Sequence, residues 1–365
     1  MNLTALRKTL DHRGPFASVH LDASHDTEDA AKVTELRWRA VREELTERDT
    51  PDPTLGALED ALDRAPPAGR AGRLLVAAGD AVLVDEYLPA PPAQPVVRVS
   101  ALPYLLPLAD WSRRDVPYVV VSVDRTGAEV RAVRADGSTH TEDVEGREHP
   151  VHKVRGAGMA HRNVQRHTEE TVKHNIGEVA EEVARQVRNT DAQLLALAGD
   201  PEARTRLREA LPAECREIVA EIEHSRVADP THDTVERDVA DLLAEQRRVE
   251  QDRVLERFRA GGGHGLAVQG LAATTAALRE ANVEVLLVDA RAVGDATVWA
   301  GTDPTMVATD RADLHRIGVS ERLDARADEA LPAAALASGA EIVAATGDEP
   351  ALELAGGVGA ILRHT

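Results

Sequence analysis

The stretch at 116–140, VPYVVVSVDRTGAEVRAVRADGSTH, decides how the chain is read. Its opening run, 116–123, is apolar and β-branched, the mark of a buried strand. Asp124-Arg125-Thr126-Gly127 supplies turn residues, and AEVRAVR at 128–134 forms a second strand. Asp136-Gly137 then turns the chain toward a third strand. A polar stretch follows at 145–167. Beyond it Val172, Ile176, Val179, Ala180, Val183 and Val187 recur on one helical face. Glu169 and Glu170 are expected near the start of that helix, where its dipole favours acids. LLALAG at 194–199 reads as a strand, and Asp200-Pro201 introduces a helix to Ala210. EIVAEI at 217–222 suits a strand, and a long charged helix is expected from Asp233 to Arg259. The order β-β-β-α-β-α-β-α predicts a layered α/β domain.

Working outward, GPFASVHLDAS at 14–24 is an expected strand, followed by helices at Asp26–Glu47 and Leu55–Asp63. The apolar runs 73–78 and 81–87, split by Gly79-Asp80, fit a hairpin. PAPPAQP at 89–95 is a stiff extended connector, and the first unit closes near Asp110–Arg114. On the other side, AGGGHG at 260–265 reads as a hinge-like linker. A helix at 266–281, a strand at 283–288 (VEVLLV), TVWAG at 297–301, a helix at 328–338, and strands at 341–346 and 358–363 make a third α/β unit. The expected class is α/β in three domains, at 1–113, 114–259 and 260–365.

Composition narrows the function. The single cysteine, Cys215, rules out an internal disulfide framework and a zinc site built on cysteine. No run approaches the ~18 apolar residues of a membrane span, and MNLTALRKTLDHRGPF at the start has no signal-peptide core. The expected location is the cytoplasm, with no membrane partner. A formal net charge of −20 argues against sequence-independent DNA binding. It leaves room for RNA contact through a local basic patch. Aromatic residues are 2% of the chain and scattered, so no stacking platform for single strands is expected.

Such a patch exists at 147–167, REHPVHKVRGAGMAHRNVQRH. Arg147, Lys153, Arg155, Arg162 and Arg166 against Glu148 give it a net charge of +4, and His149, His152, His161 and His167 add to it. Gly156-Ala157-Gly158 keeps its middle small. A basic, glycine-bearing loop suits entry into a phosphate-lined cavity; an ordinary solvated loop explains the same composition. His167, Glu170, Thr171 and His174 could share a helical face, yet no HExxH-like spacing is present and no metal site or cofactor is expected. Asp124 could imitate a nuclease carboxylate, but a hairpin turn is the simpler reading. The 261–265 glycines lack the Gly-Lys-Ser/Thr of a P-loop. Cys215 has no base partner in sequence, and no Ser-His-Asp pattern stands out, so no catalytic residue is assigned.

Three segments resemble the archaeo-eukaryotic class I release factor and Pelota superfamily. They are KVRGAGMAHRNVQRHTEETVKHNIGEVAEEV at 153–183, GLAVQGLAATTAALREANVEVLLV at 265–288, and GGVGAILRHT at 356–365. The resemblance implies an α/β N-domain, a layered α/β middle domain and a C-terminal ribosomal-protein-like α/β/α domain. The family's Gly-Gly-Gln is absent: Gly156-Ala157-Gly158-Met159 stands in its place, and no glutamine follows until Gln165. The Asn-Ile-Lys-Ser stop-codon motif is missing from 1–113. In these departures the chain resembles the bacterial branch, and within it the Balon-type ribosome hibernation factors. That resemblance implies a non-catalytic occupant of the A site of idle ribosomes, touching 23S and 16S rRNA. The middle loop would face the peptidyl-transferase centre, with elongation factor Tu as a protein partner. The residues assigned to rRNA contact are Lys153, Arg155, Gly156, Gly158, Met159, His161, Arg162, Gln165 and Arg166. Two alternatives stay open: a peptidyl-tRNA hydrolase or release factor with an altered loop, using Gln165 or His161 to orient water, and a Pelota-like rescue factor recruiting a partner GTPase.

Overall fold

A computed structural model describes residues 3–25, 30–62, 71–88, 90–109, 116–134, 138–145, 159–222, 232–345 and 353–365. Contacts divide the chain into two compact units. One is Met1–Ser112 with Gln251–Thr365, and the other is Arg113–Glu250.

The N-terminal part of the first unit holds α1 (Leu3–Thr9), β1 (Phe16–Asp22), α2 (Ala30–Glu47), α3 (Asp52–Leu62), β2 (Gly72–Ala78), β3 (Ala81–Leu88) and β4 (Val96–Ser100). The strands form an antiparallel sheet in the order β3-β2-β1-β4. Alternation along β1 sends Ala17, Val19 and Leu21 to a core with Val41 and Leu45 of α2 and Leu55 and Leu58 of α3. The expected hairpin across Gly79-Asp80 forms, with Ala78 opposite Ala81. Arg73 lies buried in β2, where its guanidinium donates to both Asp85 carboxylate oxygens at 2.8 and 3.0 Å and to the Ala61 carbonyl at 2.6 Å. That satisfies a charge which would otherwise be expensive to bury.

The second unit is built on β5 (Tyr118–Val123), β6 (Gly127–Val133), β7 (Thr139–Glu145), α4 (Met159–Thr190), β8 (Leu194–Gly199), α5 (Pro201–Ala210), α6 (Ala213–Arg216) and β9 (Val219–Glu221). The sheet runs β7-β6-β5-β8-β9, antiparallel on the β6 and β7 side and parallel from β5 to β9. The layered pattern expected from 116–222 is present. Val119, Val121 and Val123 pack with Ile176, Val179, Val183 and Val187 of α4, and Leu207 of α5 joins them. The other sheet face, through Val120, Ala196 and Ala198, meets Val235 and Val239. Those two belong to α7 (His232–Gly262), whose first turns lie in this unit and whose last turns lie in the first. Gly199 has φ +103° and ends β8 so close to the Val123 carbonyl that a Cβ would collide with it, so glycine is needed there.

The C-terminal part of the first unit comprises β10 (Ala267–Gln269), α8 (Leu271–Arg279), β11 (Val283–Val288), α9 (Ala290–Val293), β12 (Thr297–Gly301), β13 (Val307–Ala308), α10 (Arg311–Arg316), β14 (Arg322–Arg326), α11 (Ala327–Ser338), β15 (Glu341–Ala344) and β16 (Val358–Leu362). The sheet β10-β16-β11-β15 packs Leu286 and Val288 against Leu278 of α8 and Leu331 of α11. Its other face packs Val285, Leu287 and Ile361 against Val254, Leu255 and Phe258 of α7. A second sheet, β13-β12-β14, adjoins it.

Several expectations change. The 260–265 linker is partly helical, because α7 runs through Gly262. The helix expected at 266–281 is a strand and then a helix: Ala267–Gln269 pair with β16, and Gly270, at φ +88°, caps a helix that starts only at Leu271. Glu169 and Glu170 are not at the start of α4, which begins ten residues earlier at Met159. Strand β4 and helix α1 had no reading in the sequence. Within the first unit, Arg98 of β4 meets α11. Its guanidinium donates to both oxygens of Asp328 at 2.8 and 2.9 Å and to Glu329 at 3.2 Å, and it lies 3.8 Å from the Tyr104 ring centroid.

Candidate functional site

The residues assigned to rRNA contact fall in two groups. Lys153, Arg155, Gly156 and Gly158 lie outside the described residues, as does the whole of 146–158. Met159, His161, Arg162, Gln165 and Arg166 lie on the first two turns of α4, where the backbone path is described and the side chains are not. Helical spacing sets Arg162 one turn from Arg166, and His161 one turn from Gln165. Described structure stops at Glu145, the end of β7, and resumes at Met159, the start of α4.

The helix itself fixes where that N-terminus stands. α4 has 32 residues, about 48 Å at 1.5 Å per residue. Asn175 is the first buried position described along it, and Ile176, Val179, Ala180 and Val183 then anchor it to the sheet. From Met159 to His174 the helix path measures roughly 24 Å. Its first turn holds no acid. Arg162 closes that first turn, near the positive end of the helix dipole, an unfavourable place for a cation unless an anion joins it, and Arg166 follows one turn on.

The other candidate groups are accounted for locally. The Asp124 carboxylate accepts from Thr126 N at 2.6 Å, Thr126 Oγ1 at 2.7 Å and Gly127 N at 2.9 Å. Burial alone would raise its pKa, and these hydrogen bonds outweigh that and hold it below the usual carboxylate value. It is a hairpin-turn carboxylate, as the simpler reading had it. Of the metal quartet only His174 has a described side chain, and its Nε2 lies 3.2 Å from Glu178 Oε1. Among the described residues no cluster of histidine, cysteine and carboxylates could hold a metal. Cys215 is buried with Leu207 and Leu211, and burial, with Glu214 beside it, pushes its thiol pKa up. A thiol so placed is a packing residue. Among the described residues no helix is long and apolar enough to cross a membrane.

Two features of the surroundings were not legible in the sequence. One is the Arg98 junction, extended by Arg326, which donates to Asp328 at 3.1 Å and to Asp295 at 2.7 Å. Burial raises the Asp328 pKa less than Arg98 and Arg326 lower it, so Asp328 stays ionised. The other is an acid-lined groove of about 970 Å³ between β7 and α4. Both require pairs of residues far apart in sequence to be brought together, which no local pattern announces.

Comparison with known proteins follows this geometry. Residues 117–264, essentially the unit that carries the basic segment, match the family described as Bacterial archaeo-eukaryotic release factor family 2. The chain is 38% identical over 373 residues to uncharacterized protein Rv2629 of Mycobacterium tuberculosis strain H37Rv, covering 100% of this chain and 97% of that one. The match to uncharacterized protein MT2704 of strain CDC 1551 has the same extent and identity. Among solved structures, the archaeal translation termination factor aRF1 aligns over 99% of this chain and 97% of its own, at 17% identity and a TM-score of 0.28. Archaeoglobus fulgidus Pelota aligns over 81% of this chain and 80% of its own, at 17% identity and a TM-score of 0.37. The chain belongs to one family with these two mycobacterial proteins, and within it residues 117–264 match the bacterial release-factor family model.

Proposed function

We propose that the protein is a cytoplasmic ribosome-binding factor of the release-factor type, and that the segment 147–167 is its rRNA contact. The observation that carries this reading is where the basic stretch falls. The release-factor family match spans 117–264, and the stretch of net charge +4, in a chain of −20, lies inside it. The α4 N-terminus supports it further. An arginine in the first turn, set against the helix dipole with no acid in that turn, suits a phosphate neighbour. In this reading Lys153, Arg155, Arg162 and Arg166 meet rRNA phosphates in the A site, and Gly156 and Gly158 let the backbone approach closely. Met159, His161 and Gln165 lie alongside.

The family match favours action as a release or rescue factor over the finer reading of a Balon-type occupant of idle ribosomes. Within the release-factor reading, Met159 stands where the family has its glutamine, so a rescue role without ester hydrolysis is preferred to peptide release. The chain has no nucleotide-binding motif, so any GTPase must come from a partner, with elongation factor Tu the first to test. Arg155→Glu with Arg162→Glu should abolish binding to ribosomes at physiological salt while leaving the far-ultraviolet spectrum unchanged. Unchanged binding would remove the role given to this segment. Release of labelled peptide from stalled ribosomes, lost in Gln165→Ala or His161→Ala, would instead establish the hydrolase.

A further inference from the structure

The β7 edge of the second unit is unusually open. Among the described residues nothing pairs with its outer side. Its seven residues, THTEDVE, pair with β6 in one uninterrupted register, and five of them are exposed. Natural edge strands are blunted by brevity, bulges, proline or charged side chains, lysine above all. In this molecule β9 and β10 have three residues each, and the β2–β3 pairing carries a bulge at Val76/Ala77. β7 has neither bulge, proline nor lysine, and its guard is acidic, Glu142, Asp143 and Glu145, which turns away an acidic strand and not a basic one. Hydrogen bonding alternates along an antiparallel pair. Counting from the Arg134 N–H donating to the Ser138 carbonyl at 2.9 Å, Thr139, Thr141, Asp143 and Glu145 direct their N–H and C=O groups away from β6.

This edge lines one side of the groove of about 970 Å³ and α4 most of the rest, with Ala210 and Pro212 completing the lining. Val144, Ala180 and Ala184 give it apolar lining, while six acids, among them Asp143, Glu145 and Glu181, outnumber the two lining arginines, Arg185 and Arg188. Asp143, Glu145 and Glu181 have no cation within ion-pair distance among the described residues. The chain itself shows how a guanidinium is received there: Arg185 bridges Glu142 at 3.0 Å and Glu182 at 2.6 Å.

We propose that the open edge of β7, with the α4 face beside it, docks an extended arginine- or lysine-bearing segment of a protein partner, added as a further strand of the sheet. The edge supplies main-chain hydrogen bonds, and the alternate side chains of the incoming strand meet apolar lining and carboxylates. Charge selects the occupant. A second copy of this chain, paired antiparallel, would set Glu142 against Glu142 and bring a second set of Asp143 and Glu145 to the seam, which is destabilising, whereas a basic strand is attracted and steered. The inference stands on the groove and the edge alone and does not depend on the ribosome reading.

The test is binding of an alternating arginine–valine peptide, as long as β7, to the full chain by fluorescence anisotropy. Three probes are compared: this peptide, the same peptide N-methylated at alternate backbone nitrogens, and an alternating glutamate–valine peptide. The first should bind, and the other two should bind at least about tenfold more weakly. Glu178→Lys with Glu181→Lys, both on the exposed side of α4, should weaken the first peptide by a similar factor without moving the melting temperature. As a check needing no variant, peptide binding should slow amide exchange at Thr141 and Asp143. Absence of binding overturns the proposal. Equal binding of the N-methylated peptide, or unchanged exchange at Thr141 and Asp143, also overturns it, since charge alone would then explain the contact. Concentration-dependent self-association lost in the double variant would assign the edge to a second copy and overturn the occupant proposed.

Discussion

His20, near the middle of β1, shows what one half-buried side chain does to the whole. Its Nε2 is buried without a hydrogen-bond partner among the described residues, and burial lowers its pKa from 6.5 to about 4. The folded form therefore keeps a neutral imidazole where the unfolded chain takes a proton. Stability from this group is fully present above pH 6.5 and is lost as pH falls toward 4. We expect a loss of roughly 2 kcal/mol over that window, the full shift being discounted for partial exposure. Urea titrations at pH 7 and pH 4 should show it, and His20→Leu should flatten it. Arg98 acts through its partners, since Asp328 and Glu329 are only 4% and 2% exposed. Arg98→Met strands two buried carboxylates and should cost about 3–5 kcal/mol in urea unfolding. The same change made with Asp328→Asn and Glu329→Gln should cost much less. Equal losses in the two variants would mean that Arg98 contributes packing and not charge compensation.

At the scale of elements, much of the second unit was legible because its signals are local. Four features declare themselves within a few residues: the valine run of β5, the Asp124 turn, the 3.6-residue stripe of α4 and the Asp200-Pro201 helix start. Asp200 caps α5 by accepting from Glu202 N and Ala203 N at 3.0 Å each. Asp200→Ala should lower stability by about 1 kcal/mol in a thermal melt, with little effect on partner binding. What was missed depends on distant partners. Ala267–Gln269 read as helix because their pairing strand, β16, lies some ninety residues on. The Val96–Ser100 strand was hidden behind a proline-rich connector, and its pairing with β1 crosses about eighty residues. The early start of α4 was obscured because the polar 159–171 turns carry no apolar stripe. The composition of the candidate site was readable throughout, but the groove beside it was not, since β7 and α4 contribute acids from stretches that are each unremarkable alone.

At the scale of the molecule, charge is divided by role. The chain carries −20 overall, the 147–167 segment carries +4, and the β7–α4 groove gathers acids in the same unit. An acidic body is repelled from most of a phosphate-rich surface and held to it only where basic residues concentrate. Ribosome binding should therefore weaken steeply with salt, and with a shallower slope once Arg162 and Arg166 are both replaced by glutamine, because fewer counterions are then released. The most direct test of the central claim is co-sedimentation of the full chain with vacant bacterial ribosomes and with ribosomes carrying an A-site tRNA. The account predicts binding to the vacant ribosomes and competition by the tRNA. Failure to bind either, at low salt and with elongation factor Tu supplied, would contradict it.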